Sequence, residues 1–123
     1  MTIDQLTLLA SQVVETVQRR LPTGVREAAL ALPVICEPYP SSELVADGLE
    51  SDILGLFIGA DHLSEAGDNQ PMPPQVLLFV ENIWDLAECD EAVYRREVRI
   101  TYLHELGHYL GWDEEEIARQ GLE

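Results

Sequence analysis

His104-Glu105-Leu106-Gly107-His108 sets two histidines four positions apart, with a glutamate directly after the first. On a helix, four residues turn about 40° beyond one full turn and rise about 6 Å, so both imidazoles leave one face and can converge on a single ion. Glu105 lies about 100° round from His104, within reach of a water at that ion but poorly placed as a ligand. The pattern therefore reads as two metal-ligating nitrogens and a general base. The chain has only three histidines, and its composition makes such a pattern about a one in a hundred accident. The competing reading is a buried helix with two satisfied core histidines. A core rarely accepts two imidazoles and a glutamate without partners, so metal binding is the stronger reading.

A catalytic zinc needs a third protein ligand and one open position. Gly111 lies three residues past His108 and can turn the chain through a left-handed conformation. Three residues further on stands Glu114, which after such a turn can point back at the same ion. Asp113 is the alternative ligand, although its place before Glu114-Glu115-Glu116 suits the N-cap of a last helix, with Glu116 at the reciprocal capping position. Tyr102, Tyr109 and His62 have the chemistry to assist an oxyanion. A tyrosine on a buried helix more often packs, and a lone loop histidine needs no role. Trp84 and Trp112 read as core or rim aromatics, with Trp112 the nearer to the ligand turn.

Positioning these groups falls to the elements before them. Residues 3–21 carry apolar side chains at spacings of three and four, from Ile3 through Leu6, Val13 and Val17 to Leu21, an amphipathic helix with Thr2 and Gln5 as a capping box. A short helical piece follows over 25–30, then a strand centred on Val34, Ile35 and Cys36 that Pro38 ends. Ser42 is expected to cap one or two turns reaching Ala46. Ile53 to Ile58 suits a strand, and Gly59 to Pro74, with its glycines and prolines, reads as a surface excursion. Gln75 to Val80 is the strongest strand, and the prolines before it suggest an edge or a strand entry. Ile83 to Ala87 suits a short helical turn. Asp90 then opens a second major helix that carries the histidines.

The order helix, short strands, helix gives an α+β class with helices on a small sheet, and 123 residues fit one domain spanning the whole chain. Seven basic residues, all arginine, stand against 23 acidic ones for a net charge of -16. That balance makes nucleic acid and anionic membranes poor partners. Arg95, Arg96 and Arg99 are read as surface pairs of neighbours such as Asp90 and Glu91. Cys36 and Cys89 form no metal-type pair and are expected to be reduced. The first residues do not read as a signal peptide, and no apolar run approaches the roughly 20 residues of a membrane span. A soluble, cytoplasmic protein is expected.

Residues 99–117 resemble the core of the small bacterial zincin-like metallopeptidases, or minimal zincins, whose pattern is His-Glu-x-x-His-x-x-Gly-x-x-Asp/Glu. Leu54 to Gly59 is similar to that family's Leu-Gly-Leu-Tyr-x-Gly strand, and Val76 to Phe79 to the strand before its metal helix. The likeness extends from about Val34 to Ile117. It implies a minimal zincin-like fold: a long N-terminal helix, a small mixed β-sheet, a metal-binding helix and a short C-terminal helix. It also implies zinc (Zn2+) held by His104, His108 and Glu114, with Glu105 as general base. Glu114 stands where many relatives have aspartate. No methionine follows the site, so the methionine turn of larger metzincins is absent.

The resulting expectation is a zinc-dependent metallopeptidase that hydrolyses peptide bonds with a zinc-activated water, acting on a peptide or unfolded protein segment. Such a segment could add to a sheet edge at Ile53 to Ile58 or Val76 to Val80. The alternative is a non-catalytic module in which zinc only ties the two last helices together. A zinc hydrolase of another bond, such as an amidase, is a third reading.

Overall fold

The apolar stripe of residues 3–21 forms a helix in the computed structural model of the chain, which describes residues 1–59 and 73–119. This helix, α1 (Ile3–Arg20), buries Leu6, Ala10, Val14 and Val17 along one face. Its capping box is formed: the Thr2 hydroxyl accepts from the Gln5 N–H, and the Gln5 side chain accepts from the Thr2 N–H. At the other end the Arg26 guanidinium donates to the carbonyls of Gln18, Arg19 and Leu21, satisfying the acceptors that a helix C-terminus leaves open. Arg26 belongs to α2 (Thr23–Leu30). That helix starts two residues earlier than expected, because Pro22 breaks α1 and then precedes a new first turn.

Three strands follow: β1 (Val34–Glu37), β2 (Gly55–Ile58) and β3 (Gln75–Phe79). Between the first two lies α3 (Ser42–Ala46), capped by the Ser41 hydroxyl rather than by Ser42. The sheet order is β1-β3-β2, with β1 parallel and β2 antiparallel to β3. β3 is therefore the central strand, so of the two readings of its prolines, an edge or a strand entry, the entry holds and the edge does not. Pro73 and Pro74 stand outside the strand, where no ladder donor is needed, and pairing proper opens with the Val76 N–H donating to Pro33 O at 2.9 Å. Val76, Leu77, Leu78 and Phe79 are all buried, as expected for a strand covered on both faces. The excursion expected between Gly59 and Pro74 falls mostly on residues 60–72, outside the described residues.

Val80 passes directly into α4 (Val80–Leu86), and a turn leads to α5 (Glu91–Leu110), whose N-cap Asp90 accepts from the Val93 N–H. In that turn Glu88 and Cys89 have φ of 53° and 61°, a left-handed conformation that costs a non-glycine residue roughly 1–2 kcal/mol. α5 packs between α1 on one side and β2 and β3 on the other. The buried Tyr94 hydroxyl donates to Leu6 O of α1 at 2.8 Å, and Gln18 donates to the Tyr102 hydroxyl at 3.2 Å. Trp84 meets Tyr94 edge to face with centroids 5.6 Å apart, so Trp84 is a core-edge aromatic. The last described element is α6 (Glu114–Arg119). Helices on one small mixed sheet make the fold α+β, and among the described residues no helix is long and apolar enough to cross a membrane.

Candidate metal centre

The histidines lie in the last two turns of α5, a helix fixed at both ends. Asp90 caps its start, and Gly111 ends it in the left-handed conformation, φ 74°. The Trp112 N–H reaches back to Gly107 O at 2.7 Å, closing the reversal that starts α6. Asp113 Oδ1 then accepts from the Glu116 N–H at 2.8 Å, so the expected N-cap is formed.

Within this frame His104, Glu105 and His108 each present a potential ligand atom, all within 4.8 Å of one another. The two imidazole rings are 4.5 Å apart at their centroids and tilted by 58°. Glu105 Oε1 lies 3.6 Å from His108 Nδ1. Burial grades across the group: Glu105 keeps 8% of its surface, His104 is half-buried and His108 is exposed. The carboxylate is thus held inside while the histidine edge opens to solvent.

β2 shapes the inner wall. A Cβ placed on Gly55 would come within 2.7 Å of Thr101 Cγ2 and 3.4 Å of Glu105 Cγ. Only glycine lets the strand run so close to the helix turn that carries Glu105. Gly55 was not expected to have a role at the site. Its signal was a glycine inside an otherwise apolar strand, which marks a close approach of another backbone or side chain.

The donor set suits a borderline metal. An ion about 2.0–2.1 Å from two imidazole nitrogens requires them to be no more than about 4.2 Å apart, and the ligand atoms here all lie within 4.8 Å of one another. Two nitrogens and an oxygen acid are a combination that divalent zinc accepts. The residues present therefore fit a metal ion.

The remaining expected residues fall as follows. Glu114 is the first residue of α6, and its side chain lies outside what the structure describes. Asp113 is exposed and engaged as the helix cap. His62 lies outside the described residues. Tyr102 is buried on the α1 side of α5, and its phenol pKa is pushed up by burial, with the Gln18 hydrogen bond pulling the other way. Tyr109 packs against Phe57 of β2, ring centroids 5.7 Å apart. Both tyrosines therefore have packing roles. Of the arginines, Arg95 pairs with Glu91 at 3.3 Å and Arg96 with Glu97 at 3.9 Å.

Comparison with known families gives a match to the family model described as zincin-like metallopeptidase, over residues 30–122. The matched stretch takes in all three strands and α5, and leaves α1 outside. No curated protein matches the chain.

Proposed function

The chain belongs to the zincin-like metallopeptidase family, and from that premise we propose that it is a zinc-dependent peptidase with Glu105 as its general base. The observation that carries this reading is the convergence of His104, Glu105 and His108 within 4.8 Å, with the acid buried and the histidines toward solvent. A structural zinc site closed by four ligands has no use for a carboxylate held beside the histidines and turned inward.

In this reading His104 and His108 hold the ion with Glu114 as third ligand. Glu114 is favoured because Asp113, the other candidate, already spends a carboxylate oxygen on the cap of α6. The ion supplies Lewis acidity, polarising the scissile carbonyl and lowering the pKa of water toward about 7. Glu105 takes the proton of the attacking water on its carboxylate and later delivers it to the departing amine. The hydroxyl oxygen becomes part of the new carboxylic acid, and the amine leaves neutral.

Substrate entry is favoured along β2. Since β3 is central, Val76 to Val80 offers no free edge, whereas β2 pairs only with β3 among the described residues and runs past Glu105. An extended peptide segment can add there through main-chain hydrogen bonds. So small a scaffold has little wall for a deep cleft, which favours short or unfolded segments. The test is a peptide library incubated with zinc-loaded wild type and with Glu105→Gln. Cleavage by the wild type that falls at least about a thousandfold in the variant, both holding zinc, supports the assignment. Zinc retained by both with no cleavage by either favours the non-catalytic module.

A further inference from the structure

β2 is a slight element for the place it holds. It has four residues, starts on a glycine and pairs with β3 alone among the described residues, and a short edge strand of this kind slips and opens readily. Yet its first residue must stay put, because a Cβ on Gly55 would lie 3.4 Å from Glu105 Cγ and 2.7 Å from Thr101 Cγ2. The lead into β2 is held from α4. Asn82 Nδ2 donates to Ser51 O at 2.8 Å and to Ile53 O at 2.9 Å, and a side-chain amide has one hydrogen for each carbonyl. Among the described residues, no other hydrogen bond ties residues 50–53 to another element. The Phe79 N–H donates to the next carbonyl, Leu54 O, at 2.9 Å, and Gly55 pairs with Leu78. Asn82 is the third residue of α4, which continues β3 without a break, and Val80 and Ile83 of the same helix are fully buried. Ladder and amide therefore belong to one anchored unit.

We propose that Asn82 is a positioning residue of the metal centre: by holding the carbonyls of Ser51 and Ile53 it sets how closely β2 approaches the α5 turn that carries Glu105. Its effect on β2 rests on the hydrogen bonds alone, and its effect on turnover rests on the peptidase reading. Glu105 must stand at a fixed distance from the attacking water, and a shift of about 1 Å at a reacting group can cost about a hundredfold in rate. The histidines are set differently. The close approach of Gly55 is to Thr101 and Glu105, while His108 is exposed, so zinc binding does not depend on Asn82.

Nothing about α4 itself calls for asparagine at this position. Alanine is the better helix former, and an aspartate in the first turn is favoured by the helix dipole. What distinguishes asparagine is the donor pair, since an ionised aspartate of the same shape can only accept and would face two carbonyl oxygens.

The experiment compares zinc-loaded full-length wild type with Asn82→Ala, Asn82→Asp and a control, Thr2→Ala, which lowers stability by breaking the capping box of α1. Amide resonances and hydrogen exchange are followed by NMR, zinc content by native mass spectrometry and turnover on the peptide library. In both Asn82 variants the β2 amides should exchange at least about tenfold faster while those of β1 do not, and the amide resonances of Thr101 and Glu105 should move. Zinc content should equal that of wild type. The kcat should fall at least about tenfold in both, and stay within about twofold in Thr2→Ala. The proposal is overturned by unchanged β2 exchange, by an equal rise in β1 and β2, by Thr101 and Glu105 resonances that stay in place, by Asn82→Asp behaving as wild type, or by a kcat loss no greater than that of Thr2→Ala. A wild type that holds zinc and cleaves nothing defeats the peptidase reading instead, and the exchange and resonance results then decide the role of Asn82 by themselves.

Discussion

Asp113 and Glu114 stand side by side after the Gly111 turn, and their surroundings ask different things of them. Asp113 accepts the Glu116 N–H at 2.8 Å, so Asp113→Ala should cost about 1 kcal/mol of stability and leave zinc affinity within a few fold. Glu114→Ala should do the reverse, weakening zinc by more than about a hundredfold, beyond the loss typical of groups that only support a ligand. Thermal unfolding and competition with a zinc chelator read the two effects separately. At this scale the site was largely legible in the sequence. His104, Glu105 and His108 occupy neighbouring turns of one helix, and their proximity follows from helical geometry alone. What joins Glu105 to Gly55 was not legible, because 50 residues of chain separate them and only tertiary packing brings β2 against α5.

Elements were read well where a local signal bounded them. Thr2 and Asp113 each cap the helix they were expected to cap, Asp90 caps the helix it was expected to open, and Gly111 adopts its left-handed turn. The sheet order was not legible: the strand beside two prolines is the central one, and the prolines mark only its entry. Strand order depends on long-range pairing, on which a proline just outside the ladder has no bearing. The contact of β2 with α5 gives a prediction at this level. Gly55→Ala brings a methyl within 2.7 Å of Thr101 Cγ2, and overpacking of this kind should destabilise the chain by about 1–3 kcal/mol. It should also lower peptidase turnover, through displacement of the turn that carries Glu105. Thr101→Ser removes the opposing methyl. The double variant should therefore recover part of both losses, measured as a positive coupling in denaturant unfolding and in turnover. Strictly additive losses would show that the close approach has no bearing on the site.

Charge and burial act together over the whole molecule. The net charge of -16 was legible at once. The pairing of Arg95 with Glu91 was legible too, since a spacing of four on one helix sets the two side chains side by side. Alkaline pH exposes another collective property. Burial raises the pKa of the Cys36 thiol from an ordinary 9.0 to about 11, with Glu37 adding to the effect, and burial also raises those of Tyr94 and Tyr102. Each of these groups holds its proton more tightly in the folded chain than in the unfolded one. The stability they contribute is present below pH 9.0 and is lost as the pH rises toward 11 for Cys36. Denaturant midpoints should fall over that range, and less steeply in Cys36→Ala, whose overall stability is lower. Hydrolysis as proposed requires a metal ion bound by the last turns of α5. The most direct test is therefore native mass spectrometry of the untagged full chain, supplied with zinc, beside His108→Ala. Close to one zinc per wild-type chain, lost in the variant, is the predicted result. A wild type that binds no zinc, or a variant that binds it equally well, would contradict the account at its centre.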